Sequence, residues 1–128
     1  MLIKNLLERK LYFFVAISIT IVITIGSLIS INNVIKLPPV HYFDKFLHAS
    51  AYFLLTLSWL FAFKKRIKLK KKFTLVLIII FIYGIIIEVL QQSLTTYRQA
   101  DLYDVFANLG GIIIAYAFFN LIFRRNLE

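Results

Sequence analysis

Four long apolar segments divide the chain, and each is long enough to cross a lipid bilayer. Segments 11–31 and 105–123 carry no charged residue. Segment 46–63 has His48 near its start as its only basic or acidic residue, and segment 73–87 is uncharged and is followed by Glu88. At a rise of about 1.5 Å per residue, about 20 residues span a hydrocarbon core of about 30 Å. Because backbone groups in lipid must be satisfied within the segment, we predict transmembrane helices over about 11–31, 46–63, 73–92 and 104–123.

The composition supports an all-α membrane protein rather than a water-soluble domain. Hydrophobic residues make up 61% of the 128 residues and charged residues only 16%, whereas soluble domains carry about 25% charged residues. The segments are apolar on every face, which excludes the alternating pattern of a transmembrane barrel. The absence of cysteine excludes a disulfide-stabilised secreted domain. We therefore predict one polytopic domain, residues 1–128, folded as a four-helix bundle.

The distribution of basic residues predicts the orientation of the bundle. Twelve of the fifteen Lys and Arg residues lie in the N-terminal tail, in segment 64–72 and at the C-terminus. Since loops rich in Lys and Arg stay in the cytoplasm, both termini and segment 64–72 are predicted to be cytoplasmic. The first apolar segment is too long for a cleaved signal peptide. The net charge of +9 does not predict nucleic-acid binding, because the charges are concentrated in membrane-flanking segments.

Polar residues are concentrated at the ends of the helices predicted to face outward. Asp44, His48 and Tyr52 are spaced by four residues and share one helical face. Glu88 lies about 22 Å along the third segment, in the outer third of the bilayer. Because a charged side chain in lipid is costly, these groups are expected to face one another in one pocket. The candidate ligand-binding residues are Asp44, Lys45, His48, Glu88, Gln91, Arg98, Asp101, Asp104 and Asn108.

Several of these residues also have purely structural interpretations. Asp101 and Asp104 precede an apolar run at the spacing of a helix cap, and Asn108 could hydrogen-bond between helices. Tyr52 and Trp59 are interpreted as packing residues or interface anchors. Small residues on the first and fourth segments predict close helix packing: Ala16, Thr20, Thr24, Ser27, Gly110, Gly111 and Ala115.

The polar residues together resemble the VanZ-like family of small membrane proteins. The resemblance rests on three motifs in order: Asp44-Lys45-x-x-His48-x-x-x-Tyr52, Glu88-x-x-Gln91, and Arg98-x-x-Asp101-x-x-Asp104-x-x-x-Asn108-x-x-Gly111. It implies a multi-pass protein of the bacterial cytoplasmic membrane. The founding member of the family is associated with resistance to the glycopeptide antibiotic teicoplanin, so the resemblance implies a connection to the cell envelope but specifies no reaction.

Four functions remain open from the sequence, and the first is binding of an amphiphile's polar head group at the outer leaflet. The ligand would be a membrane lipid, a cell-wall precursor or an amphiphilic antibiotic. Arg98 and Lys45 would hold phosphate or carboxylate, and Glu88, Asp104 and Asn108 would hold hydroxyls, amines or a cation.

The other three functions are an enzyme, an ion-coupled carrier and a partner subunit of a larger membrane protein. The enzyme would use His48 and Glu88 for acid–base chemistry on a head group, and the carrier would use Glu88 as its proton site. No cofactor and no metal ligand set are predicted, because no strong metal-binding spacing is present. One histidine among several carboxylates leaves a divalent cation as an alternative.

Overall fold

The computed structural model is a bundle of four α-helices, and it describes residues 1–29, 41–64, 70–94 and 100–125. The helices are α1 (Leu2–Leu28), α2 (His41–Phe63), α3 (Lys70–Leu94) and α4 (Leu102–Arg125). All four are long and apolar enough to cross a membrane. This confirms the predicted all-α class and the prediction of four helices with the length and composition of membrane spans. Large apolar side chains are exposed along the outer faces of the helices, as expected for surfaces that contact lipid.

The observed helices are longer than the apolar segments that predicted them. α1 begins at Leu2 rather than at residue 11, because the charged tail consists of good helix formers and continues the same helix. It ends at Leu28, since Ile29 is extended with φ −83° and ψ 130°, so the predicted end at residue 31 was wrong. The other three helices also begin before the residues predicted. Hydropathy detects the hydrocarbon-spanning part of a helix, whereas backbone hydrogen bonding continues into the interface.

The closest helix pair is α2 with α4, and Gly111 makes this approach possible. A Cβ atom at Gly111 would overlap the carbonyl oxygen of Ala49 and lie 3.0 Å from the backbone nitrogen of Phe53. Ala115, one turn further along α4, is fully buried. Both residues therefore have the packing role predicted for them. The same prediction for Gly110 was wrong, because a Cβ atom there would meet nothing within 4 Å.

The small residues of α1 form the predicted packing surface against α2 and α3. The indole nitrogen of Trp59 on α2 donates a hydrogen bond to Thr20 Oγ1 over 3.1 Å. The hydroxyls of Thr24 and of Tyr83 on α3 share a hydrogen bond of 2.7 Å. Ala16 is fully buried. These bonds satisfy polar groups in the apolar interior and hold α1 in register against its neighbours.

Aromatic contacts define the end of the bundle that carries the chain termini. Tyr12 of α1 stacks on Phe61 of α2, and the Lys64 ammonium lies 4.5 Å from the centre of the Tyr12 ring. At the same end Phe73 of α3 packs against Phe119 of α4. The start of α1, the end of α4 and both residues that flank segment 65–69 therefore lie on one side of the bundle. That this side faces the cytoplasm stays a prediction.

Candidate functional site

Polar residues from three helices meet at the opposite end of the bundle, where α2 and α4 begin and α3 ends. This arrangement follows from the antiparallel order of the helices, which brings the start of one helix beside the end of the preceding one. We call the group the polar cluster, and its members are Asp44, Lys45, His48, Glu88, Asp101, Asp104 and Asn108.

Lys45 on α2 bridges two aspartates of α4. Its ammonium donates a hydrogen bond to Asp101 Oδ2 over 2.6 Å and another to Asp104 Oδ1. Asp101 also caps α4, because its Oδ1 accepts a hydrogen bond from the Tyr103 backbone N–H over 2.9 Å. The cap interpretation of Asp101 is thus confirmed. Since the ammonium of Lys45 already faces two carboxylates, its charge is balanced within the protein.

His48 lies at the centre of the cluster, and its two ring nitrogens face different groups. Nδ1 lies 3.2 Å from Asn108 Oδ1 and 3.6 Å from Glu88 Oε1. Nε2 lies 3.8 Å from Asp104 Oδ2 and 3.9 Å from Asp44 Oδ1. The contacts of His48 with Glu88 and Asn108 are those expected for polar groups at the same depth in neighbouring helices.

The cluster has a closed floor and an open mouth. Glu88 is 4% exposed, Asn108 is 2% exposed and Asp104 is 7% exposed. By contrast, the side chain of Asp44 is 41% exposed and that of Asp101 is 34% exposed. A carboxylate such as Glu88 is costly at membrane depth unless it faces polar groups, and Glu88 does face the interior of the bundle. We call this exposed side of the cluster, beside Asp44 and Asp101, its mouth.

Two buried hydroxyls continue the polar face of α2 below the cluster. Tyr52 is 2% exposed and Thr56 is fully buried, and neither hydroxyl has a hydrogen-bond partner among the described residues. The Tyr52 ring packs over Gly84, where a Cβ atom would lie 3.0 Å from the ring edge and 3.3 Å from the hydroxyl oxygen. Sequence reasoning treated Tyr52 as a packing residue or anchor and did not consider Thr56. The sequence does indicate a place for Thr56 on this face, because positions 44, 48, 52 and 56 are spaced by four residues.

The structure gives Gln91 a hydrogen bond outside the polar cluster, and it does not describe Arg98. The side-chain nitrogen of Gln91 donates a hydrogen bond to the backbone carbonyl of Ser27 over 3.0 Å, so Gln91 ties α3 to α1. Arg98 lies outside the described residues.

The described cluster carries an excess of negative charge. Its two basic groups are Lys45 and, when protonated, His48, and its four carboxylates are Asp44, Glu88, Asp101 and Asp104. While His48 is neutral, adding one positive charge to the cluster would not cancel its excess of negative charge. Asp44, His48 and Asp104 each offer a ligand atom, and these atoms lie within 4.8 Å of one another.

Comparison with known proteins identifies a family over nearly the whole chain and a relative over part of it. The family model described as VanZ/LLP1 matches residues 3–124. An uncharacterized protein of the yeast Schizosaccharomyces pombe is 35% identical over 92 residues, which is 70% of this chain and 54% of the yeast protein. The chain thus spans about half the length of this curated relative. No solved structure matches the chain.

Proposed function

This chain belongs to the VanZ/LLP1 family, and we propose that its polar cluster binds the polar head group of a membrane amphiphile. The observation that carries the proposal is the convergence of a buried carboxylate, Glu88, with His48 and Asn108 at one end of a bundle whose outer surface is apolar. Ionisable residues within transmembrane segments are rare, and by default they indicate a functional site.

The surroundings of the cluster suit an amphiphile. Large apolar side chains on the first two turns of α2 and α4 are exposed beside it, among them Phe46 (67%) and Phe106 (65%). Tyr103 is 72% exposed at the start of α4, which is typical of aromatic residues at a membrane interface. An acyl chain would lie on this apolar surface while the head group enters the open mouth.

The cluster favours head groups that donate hydrogen bonds. Carboxylates and the Asn108 side-chain oxygen accept hydrogen bonds, so the best ligands carry hydroxyl or ammonium groups. Lys45 is less suited to hold a phosphate than the sequence suggested, because its ammonium already binds Asp101 and Asp104. Sugar- or amine-bearing lipids, cell-wall precursors and glycopeptides all have this chemistry.

Native mass spectrometry of the purified protein tests the proposal. We expect the wild type to retain a co-purified amphiphile and the Glu88→Gln and Asn108→Ala variants to lose most of it. Gln92→Ala is the matched control, since Gln92 is exposed one residue from Gln91, and it should retain the same amphiphile. Equal occupancy in wild type, Glu88→Gln and Asn108→Ala, with helicity preserved, would refute head-group binding at this cluster.

An enzymatic role is the second candidate, and the position of His48 favours it. Nδ1 of His48 lies 3.6 Å from Glu88, and Nε2 lies 3.8 Å from Asp104. A histidine between two carboxylates can move a proton to or from a bound head group. Incubation of the pure protein with the co-purified amphiphile tests this role. A product formed by the wild type but not by His48→Ala supports catalysis, and an unchanged amphiphile argues for binding alone.

The cellular setting is also proposed rather than given by the family. We propose a multi-pass protein of the bacterial cytoplasmic membrane with both termini inside, acting in envelope homeostasis or in resistance to glycopeptides such as teicoplanin. A relative in a yeast indicates that family resemblance alone does not imply resistance. If resistance is the function, expression in a susceptible bacterium should raise the inhibitory concentration of teicoplanin, and Glu88→Gln should abolish the increase.

A further inference from the structure

The geometry points to a divalent metal site at the mouth of the polar cluster, and we infer that Asp44, His48 and Asp104 bind the ion. The ligand atoms would be Asp44 Oδ1, His48 Nε2 and Asp104 Oδ2. This inference goes beyond head-group binding and does not depend on it, because it concerns an ion held by the protein's own side chains.

The contacts of His48 determine which of its two ring nitrogens carries the proton. An amide oxygen can only accept a hydrogen bond, and Asn108 Oδ1 lies 3.2 Å from Nδ1 of His48. Glu88 Oε1, a second acceptor, lies 3.6 Å from the same nitrogen. Nδ1 is therefore the protonated nitrogen of the neutral ring, and the lone pair of Nε2 points away from Asn108. Metal-binding histidines are oriented in this way, by donating the other ring N–H to an oxygen acceptor.

Two carboxylates lie in front of Nε2 of His48. Asp104 Oδ2 lies 3.8 Å away and Asp44 Oδ1 lies 3.9 Å away. These distances are too long for direct hydrogen bonds, and a lone pair facing two carboxylates is repulsive without a cation between them. For bonds of about 2.1 Å in octahedral geometry, ligand atoms are separated by about 3.0 Å in cis and 4.2 Å in trans. The three atoms, all within 4.8 Å of one another, need only small side-chain rotations to reach this spacing.

Lys45 fixes the orientation of the Asp104 carboxylate. The ammonium of Lys45 binds Oδ1 of Asp104, and the other oxygen of the same carboxylate, Oδ2, faces His48. Lys45 and Asn108 thus act as positioning residues, each orienting one ligand of the ion. Their loss is expected to weaken metal binding without removing a ligand atom.

Charge and an unpaired hydroxyl give independent support for an additional bound group. With His48 neutral, the described cluster has four carboxylates and one lysine, and a divalent ion would add two positive charges to it. In addition, the Tyr52 hydroxyl is buried one turn below His48, with Glu88 as a charged neighbour and no hydrogen-bond partner among the described residues. A buried hydroxyl without a partner points to a water or ligand atom at the cluster floor.

A ligand set of one imidazole nitrogen and two carboxylates suits Mn²⁺ or Zn²⁺. Titration of Mn²⁺ into the metal-free protein in nanodiscs, followed by electron paramagnetic resonance, measures binding without any amphiphile, since bound Mn²⁺ loses the sharp spectrum of the free ion. We expect one Mn²⁺ per chain, displaced by Zn²⁺. The metal-free protein is prepared by chelation, and Trp59 fluorescence and circular dichroism verify the fold of each variant.

Three variants and one control decide the inference. Asp44→Asn replaces an exposed carboxylate ligand with a neutral amide oxygen and leaves the Lys45 bridge intact, so it should fold normally and lower Mn²⁺ affinity at least about tenfold. His48→Ala should abolish binding, and Asn108→Ala should weaken it about tenfold. Gln92→Ala should bind as the wild type does. A folded wild type that binds no Mn²⁺ or Zn²⁺ at millimolar concentration would overturn the inference, as would binding unchanged in both Asp44→Asn and His48→Ala. Amphiphile retention in a protein that binds no metal would leave the proposed function intact.

Discussion

Two adjacent glycines of α4 should respond in opposite ways to the same substitution. A methyl group at Gly111 would overlap the carbonyl oxygen of Ala49 and lie 3.0 Å from Phe53 N. To accommodate it, α2 and α4 must move apart by about 1 Å, and overpacking of this kind destabilises by about 1–3 kcal/mol. The same movement would stretch the bond between His48 and Asn108 from 3.2 Å beyond hydrogen-bonding distance. Gly111→Ala should therefore weaken both the fold and the cluster.

Gly110→Ala is the matched control for this prediction. A Cβ atom at Gly110 meets nothing within 4 Å, so alanine adds no overlap and stabilises the helix by up to about 1 kcal/mol. Reversible unfolding in mixed micelles, followed by circular dichroism and by the fluorescence of the single tryptophan, Trp59, measures both variants. If Gly111→Ala unfolds at the same denaturant fraction as Gly110→Ala, the close approach of α2 and α4 is refuted.

Three further predictions concern the polar contacts and the orientation. Lys45→Met should destabilise the protein by about 1.5–3 kcal/mol because it leaves two carboxylates facing each other. Adding Asp104→Asn to the Lys45→Met variant should recover part of this loss. Strictly additive effects of the two substitutions in the same unfolding assay would contradict the coupling between Lys45 and Asp104. Thr24→Val removes the hydrogen bond to Tyr83 and should destabilise by about 0.6 kcal/mol, so an unchanged midpoint would count against this contact. Tyr103→Cys, in a chain without cysteine, should react with an impermeant thiol reagent in intact cells, whereas labelling only after permeabilisation would reverse the proposed orientation.

The helices and the meeting of polar groups were predictable because simple physical rules fix them. A bilayer requires about 20 apolar residues per span, and the chain has four such segments. Antiparallel order then brings Glu88, at the end of α3, beside the starts of α2 and α4. The cost of a charge in lipid requires that Glu88 face His48 and Asn108. Neither conclusion depends on atomic detail.

The pairing within the cluster could not be predicted in the same way. Spacing places Lys45 and Asp104 at the same end of the bundle, but rotation of α4 about its axis decides whether they touch. That rotation is set by the contact of Gly111 with Ala49. From the sequence, Gly110 is as good a candidate for this contact as Gly111. The role of Gln91 was missed for a similar reason, because its partner is a backbone carbonyl, that of Ser27, which carries no side-chain signal.

The bound-ligand claim is tested most directly by an experimental density map of the protein purified in native lipid. We predict density that the chain does not explain, lying between His48, Glu88 and Asp104 and continuing towards the exposed apolar surface beside the cluster. A map in which Glu88 points into the acyl chains, or in which the cluster is closed by its own side chains with no additional density, would contradict it.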